Sequence, residues 1–254
     1  MRILVIGDSC QDIYIYGKVD RLCPDAPVPI LVPMHTTTTG GMAANVYENI
    51  LSLQVDVDII TNNLPITKTR YVDMQTNHMI MRVDSENKAI PRVSGLDAVN
   101  FSQYDAIIVS DYNKGFLQFD DISYICDKHP LVFLDTKKII NAMCLKATFI
   151  KINEVEHNKN IDAGLDIGSY PKKFIITLGS KGCMYDNKNY KVRPVEIKDM
   201  SGAGDTFISA LTIQYLKTKS IESAIKFAND CATIVVQYRG VTKIGKIMHQ
   251  NVEE

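Results

Sequence analysis

Charge of one sign is missing from this sequence: 28 Lys and Arg face 29 Asp and Glu, and the formal net charge is −1 over 254 residues. Bulk electrostatics therefore give no hold on nucleic acid or on an anionic membrane. The six cysteines (Cys10, Cys23, Cys126, Cys144, Cys183, Cys231) are scattered, with no Cys-x-x-Cys, and the five histidines are dispersed. Neither a disulfide framework nor a zinc site is expected, and the thiols read as those of a reduced, cytoplasmic protein. No apolar run approaches a membrane span. The run after Met1-Arg2 is too short for a signal-peptide core and lacks a small-residue cleavage pattern. There is no internal repeat, linker or low-complexity tract. The turn Gly7-Asp8-Ser9-Cys10-Gln11-Asp12 lacks Gly-x-Gly-x-x-Gly, which argues against a dinucleotide-dependent dehydrogenase.

What is present is an ordinary globular composition, 46% hydrophobic and 22% charged. Short apolar runs at Ile3–Ile6, Val55–Ile60, Ala106–Val109, Leu131–Leu134, Thr148–Ile150 and Phe174–Thr177 read as buried parallel strands. Helical segments are expected between them at Met42–Leu53, Asp121–Asp127 and Ile139–Leu145. Two long helices, Ala203–Leu216 and Ile221–Tyr238, close the chain. This alternation predicts an α/β fold with a mainly parallel sheet. Cys183–Tyr185 and Tyr190–Val192 read as a hairpin. Val28–Val32, bracketed by prolines, and Thr69–Val83 do not fit the βα rhythm and read as strands of a small separate sheet. That sheet would form a lid and bury its apolar face on a partner subunit. Residues 1–254 thus read as one domain, with lid strands around 13–33 and 67–84. The strands end in Gly7-Asp8, Ser110-Asp111, Asp135, Asn153 and Gly179, and in open α/β sheets ligands bind beyond such ends. Each of these is also an ordinary turn former or helix cap.

The sharpest stretch is Asp199-Met200-Ser201-Gly202-Ala203-Gly204-Asp205-Thr206, followed at once by an apolar helical run. A helix start offers unpaired N–H groups and partial positive charge, and glycines let an anion approach them. A carboxylate there would repel that anion. Both features make sense if the backbone steadies a transferring group while Asp205 takes a proton from the attacking hydroxyl. The plainer alternative is a glycine-containing loop with an acidic residue stabilising the first helical turn.

From Met1 to about Gly240 the chain resembles the ribokinase-like sugar kinases, or phosphofructokinase-B family. It most resembles the heptose-phosphate kinases of lipopolysaccharide precursor synthesis. The residues carrying this are Gly7–Tyr14 with Tyr16-Gly17, the block Arg21-Leu22-Cys23-Pro24-Asp25-Ala26-Pro27-Val28-Pro29, Ala43–Val46, Thr67–Arg70 and Arg82–Asp84. Further matches are Ser110–Gly115, Asp135–Lys137, Asn153 with Glu156, Thr177–Gly182 and Asp199–Asp205. The resemblance implies a ribokinase-like fold and Asp205 as general base, with the N–H groups of Gly202, Ala203 and Gly204 steadying the phosphoryl group. It implies Asp8, Asp12, Gly41, Asn45, Arg82 and Asp111 on the sugar side. On the nucleotide side it implies Asn153, Glu156, Thr177, Gly179, Gly182 and Asn229. Glu156 would act on Mg²⁺ through water, and Lys137 is a further candidate. The implied cofactors are ATP and Mg²⁺, with a monovalent cation in some relatives. Nucleic acid and membrane are not implied as partners.

Several positions depart from the pattern. Met42 falls where a glycine is usual, and Thr136 and Ile152 stand where proline is usual. The chain passes almost directly from Asn63 to Thr67, where relatives place a helix and a short strand. The expected function is phosphorylation of a sugar or sugar phosphate, foremost a heptose 7-phosphate at its anomeric hydroxyl. Arg21, Lys68, Arg70 and Arg82 are the cations available for the remote phosphate. Kinase activity on another sugar or a nucleoside, or a non-catalytic sensor on the same scaffold, are the alternatives.

Overall fold

The computed structural model describes residues 1–63, 66–85, 90–245 and 247. An eight-stranded sheet runs in the order β12-β11-β10-β9-β8-β7-β1-β4. Its members are β1 (Arg2–Gly7), β4 (Asp56–Thr61), β7 (Ala106–Asp111), β8 (Val132–Thr136), β9 (Phe149–Asn153), β10 (Phe174–Thr177), β11 (Cys183–Tyr185) and β12 (Lys188–Tyr190). Every pair from β4 to β10 is parallel, and only the β10–β11–β12 edge is antiparallel. The central strands are apolar on both faces because both faces are covered. Ile3 and Val5 pack into one core with Phe133, Phe149 and the helices α1 (Ala43–Ser52), α4 (Ala203–Thr218) and α5 (Ile221–Val235). Leu4 and Ile6 pack into a second core with Val109, Leu134 and α2 (Phe119–Lys128).

A second sheet, in the order β3-β2-β5-β6, is formed by β2 (Ser9–Leu22), β3 (Pro29–Met42), β5 (Thr67–Asp73) and β6 (Met79–Ser85). The sequence points to this sheet but not to its extent. The strand expected at Val28–Val32 is the start of a 14-residue strand, and the strand expected over Thr69–Val83 is an antiparallel pair. β2 contains the run Ile13-Tyr14-Ile15-Tyr16 within the expected lid region, but it starts earlier, at Ser9.

Two expectations are corrected and one element is added. Ile139–Leu145 is not a helix: only Cys144–Lys146 forms a short 3₁₀ turn. The Asn141 side chain accepts from the Met143 and Cys144 N–H groups and organises a local turn there instead. A helix α3 (Glu154–Asp162) was not anticipated. Its mean hydropathy is low, and it is started by a reciprocal cap between Asn153 and Glu156. The last helix ends at Val235, short of Tyr238. The β11–β12 hairpin turns on Asp186 and Asn187, both at positive φ, the residue types such a two-residue turn favours. Between β4 and β5 only five residues intervene, too few for the peripheral helix and strand of the expected pattern.

Candidate active site

Side-chain alternation along the strands decides what reaches the site. Phe133 and Phe149 belong to the core beneath α4, so Asp135 and Lys151, two residues on, share that face. They are paired in register, and the Lys151 ammonium lies 2.7 Å from Asp135. Lys151 also lies against the start of α4: a Cβ on Gly204 would stand 3.0 Å from Nζ. A buried cation thus meets the positive end of a helix, which is an arrangement for holding an anion. Burial disfavours ionisation of Asp135, but Lys151 and Lys137 outweigh it and hold the carboxyl below its ordinary range.

Asp205 sits in the first turn of α4, 4% exposed. The Asn45 amide donates to its Oδ2 (2.7 Å) and the Tyr112 hydroxyl to its Oδ1 (2.8 Å). Burial raises its pKa above the usual carboxylate value, and the bonds from Asn45 and Tyr112 oppose that rise. Gly202, which precedes the helix, has φ +79°, and a Cβ there would lie 2.6 Å from the Asn45 amide nitrogen. Glycine is needed for both the backbone and the approach of Asn45. The Ala203 N–H is directed back to the Met200 carbonyl at 3.3 Å, so it is partly spent within the turn.

On the second sheet, Asp12 (β2) and Arg70 (β5) form a buried ion pair at 2.5 Å, with Arg70 also over the Tyr14 ring. Gly41 makes room for it: a Cβ at that position would stand 2.1 Å from Asp12 Oδ2. Cys10 lies beside Asp12, and burial followed by the Asp12 charge pushes its thiol up to about 12, leaving it protonated and unreactive. Met42 has φ 60° and ψ −131°, a conformation suited to glycine, while its side chain packs with Cys10 and Ile66. The departure from glycine therefore carries backbone strain of about 1–3 kcal/mol at the junction of the two sheets.

On the nucleotide side, Asn153, Glu156, Thr177, Gly179 and Gly182 gather at the ends of β9 and β10, where Asn153 and Thr177 are in register. Glu156 accepts from the Asn153 backbone and side chain and from Lys137, so its oxygens are held inside the protein. Lys137, Asn153 and Glu156 border a cavity of about 110 Å³. Among the described residues no three His, Cys, Asp or Glu side chains form a metal cluster. Asp135 Oδ1, however, is buried with no hydrogen-bond partner, 3.6 Å from the Lys137 ammonium.

Three expected residues, Asp111, Asp8 and Asn229, are set elsewhere, and a fourth, Arg82, stands opposite Arg70 but is engaged by a neighbour. Asp111 follows Ile107 and Val109 onto the opposite face of the sheet, where it pairs with Lys138 at 2.9 Å and accepts from Thr136, wholly buried. Asp8 is also wholly buried, its carboxylate accepting from the Tyr112 and Phe116 N–H groups. Its place is under the loop that presents Tyr112. Asn229 donates to the Tyr190 carbonyl behind the hairpin. Arg82 makes a two-bond contact with Asp84, both at 2.6 Å. In exchange, Tyr112, Asp135 and Lys151 join the site. Tyr112 and Asp135 lie in matched blocks, and Lys151 was legible as a lone charge in the apolar strand Phe149–Asn153.

The family profile described as pfkB family carbohydrate kinase matches residues 129–246. The bifunctional protein HldE of Helicobacter acinonychis is 32% identical over 94% of this chain and 63% of its own length. That of a Nitratiruptor species is 30% identical over 92% and 61%. The chain spans about three-fifths of these relatives. Among solved structures, Thermotoga maritima ribokinase has a TM-score of 0.70 at 18% identity, covering 94% of each chain. Escherichia coli phosphofructokinase-2 has a TM-score of 0.70 at 12% identity, covering 100% of this chain and 99% of its own. The fold is therefore ribokinase-like, and it is residues 129–246 that carry the match to the pfkB family of carbohydrate kinases.

Proposed function

We propose that the protein transfers the γ-phosphoryl group of ATP to a sugar hydroxyl, with a heptose 7-phosphate as the preferred substrate and its anomeric hydroxyl as the acceptor. The observation that carries this is the buried Asp205 carboxylate, held by Asn45 and Tyr112 at the head of α4 beside Lys151. Asp12, Gly41 and Asn45 would hold the sugar. A carboxylate has about four lone-pair positions, so Asp205 can accept the substrate hydroxyl while keeping both present donors. The hydroxyl proton passes to Asp205, the oxygen bonds to the γ-phosphorus, and ADP leaves. The α4 N-terminus and Lys151 steady the charge on the phosphoryl oxygens. Asn153, Thr177, Gly179 and Gly182 would line the nucleotide. Mg²⁺ neutralises phosphate charge when bound, and Asp135 and Glu156 would act on it through water. The heptose reading is supported by the block Arg21–Pro29 and by the similarity to HldE. The test is coupled ADP release over heptose phosphates, hexose phosphates, pentoses and nucleosides. Turnover confined to an unphosphorylated sugar or nucleoside would replace the substrate, and none at all would favour a sensor.

The cations of the second sheet give a finer test. Lys68 lies over the Tyr112 ring at 5.6 Å, and Arg82 is tied to Asp84 on an exposed surface. If Arg82 leaves Asp84 for a substrate phosphate, Arg82→Ala is expected to raise KM for the phosphorylated sugar about tenfold or more, and that for the unphosphorylated analogue little. Equal KM changes for the two would remove Arg82 from phosphate recognition.

The second sheet also supports a homodimer. In its register Ile13, Thr69 and Val83, and beside them Ile15, Tyr71 and Met81, lie on the face away from Asp12 and Arg70. Met81 and Val83 are 51% and 44% exposed. A second copy would cover this apolar face. Light scattering is expected to give a dimer for the parent and a monomer for Met81→Asp. A monomeric parent at high micromolar concentration would contradict this.

A further inference from the structure

Lys243 lies in the segment after α5, and its side chain is 9% exposed. A buried lysine needs partners for its ammonium. Lys243 has two: it donates to Asn45 Oδ1, and its Nζ is 2.8 Å from Glu48 Oε2. The segment is fastened along α1 on either side. The Ile244 N–H donates to Asn49 Oδ1 (3.3 Å) and the Gly245 N–H to Ser52 Oγ (3.2 Å). Glu48 in turn accepts from the Gly40 N–H at 3.2 Å, at the base of the second sheet.

The amide of Asn45 can be placed in two ways. As it stands, Oδ1 takes the Lys243 ammonium and the Asn49 amide (3.0 Å), leaving Nδ2 for Asp205 (2.7 Å). The flipped amide would turn NH₂ toward the ammonium and its oxygen toward the carboxylate, and both contacts would be repulsive. A cation on the amide oxygen also polarises the group and strengthens the bond its NH₂ makes to a carboxylate. We propose that Lys243 is a positioning residue for the base: it fixes the Asn45 amide in the orientation that donates to Asp205. The chain Lys243–Asn45–Asp205 joins the C-terminal segment to the reacting centre. Lys243 also lines a cavity of about 960 Å³ bordered by Ser9, Gln11, Glu48 and Asn62, so the chain begins at solvent-accessible space.

This inference rests on the kinase reading for its importance, but its test does not. The charged and titratable groups facing Asp205 are Tyr112, Asp135, Lys137, Lys151 and Cys10, and Lys243 acts through Asn45. With aspartate carboxyls labelled with carbon-13, and Asp205→Asn used for assignment, the Asp205 titration is followed by NMR in the unliganded protein. Lys243→Met is expected to move it upward by roughly one pH unit. The acid limb of the kcat profile should move by the same amount, with KM for ATP unchanged and Lys243→Arg restoring the parent behaviour. Glu48→Gln, which keeps the Lys243–Asn45 bond, should leave the Asp205 titration in place. Lys243→Gln, which removes the charge and shortens the side chain while keeping it polar, reads the same shift if the Met variant does not fold. An unmoved titration in a folded Lys243 variant, or an equal shift in Glu48→Gln, would overturn the proposal. A parent protein without ADP release would overturn the kinase reading, while the titration would still decide the role of Lys243.

Discussion

Asp205→Asn is expected to lower turnover by at least about 10²–10⁴-fold, the usual worth of a general base, with ATP affinity little changed. The variant keeps the shape of the side chain and an oxygen for one of its two donors. It loses the proton acceptor. Burial raises the Asp205 pKa, so the acid limb of kcat in the parent should lie above the ordinary carboxylate range. The same sign governs stability. A carboxyl whose folded pKa is raised contributes stability at low pH, and that contribution is lost as pH rises through the folded pKa. At neutral pH the Asn variant should therefore unfold no earlier than the parent. Loss of turnover together with a lower thermal midpoint would point to a structural failure, and near-normal turnover would remove Asp205 from the chemistry.

Arg70→Met is expected to have the largest effect on stability. Arg70 and Asp12 are both buried and in contact at 2.5 Å, at the root of the second sheet. Removing one partner of such a pair strands a charge and costs about 3–5 kcal/mol. Denaturant unfolding should show that loss at neutral pH. The double change Asp12→Asn with Arg70→Met should recover much of it, since no charge is then stranded. Sugar KM should not recover in the double variant, because Asp12 is assigned to the substrate. Full recovery of both would make the pair structural alone.

The sequence carried the main sheet because its strands are buried on both faces and read as apolar runs. It carried Asp205 because Gly202 and Gly204 mark a glycine-rich helix start with an acidic residue in its first turn. It carried only part of β2, through the lid strands expected around 13–33, and did not carry α3, which the Asn153–Glu156 cap starts. Side-chain direction was the other gap. Asp111 and Asp135 both stand at the ends of parallel strands, but opposite parity puts one behind the sheet and the other under α4. Arg82 and Asn229 illustrate competition for partners: a nearby carboxylate and a backbone carbonyl satisfy them within the protein. Lys243 had no sequence signal, since its partners lie some 195 residues earlier in the chain.

The central claim is transfer of a phosphoryl group from ATP to the anomeric hydroxyl of a phosphorylated heptose by a base at position 205. Phosphorus-31 NMR of a reaction containing Mg·ATP and a heptose 7-phosphate tests it most directly. The account predicts ADP together with a second sugar phosphate resonance coupled to the anomeric proton, formed by the parent protein and not by Asp205→Asn. An unchanged heptose spectrum with the folded parent protein, or the same product formed at the same rate by Asp205→Asn, would contradict it.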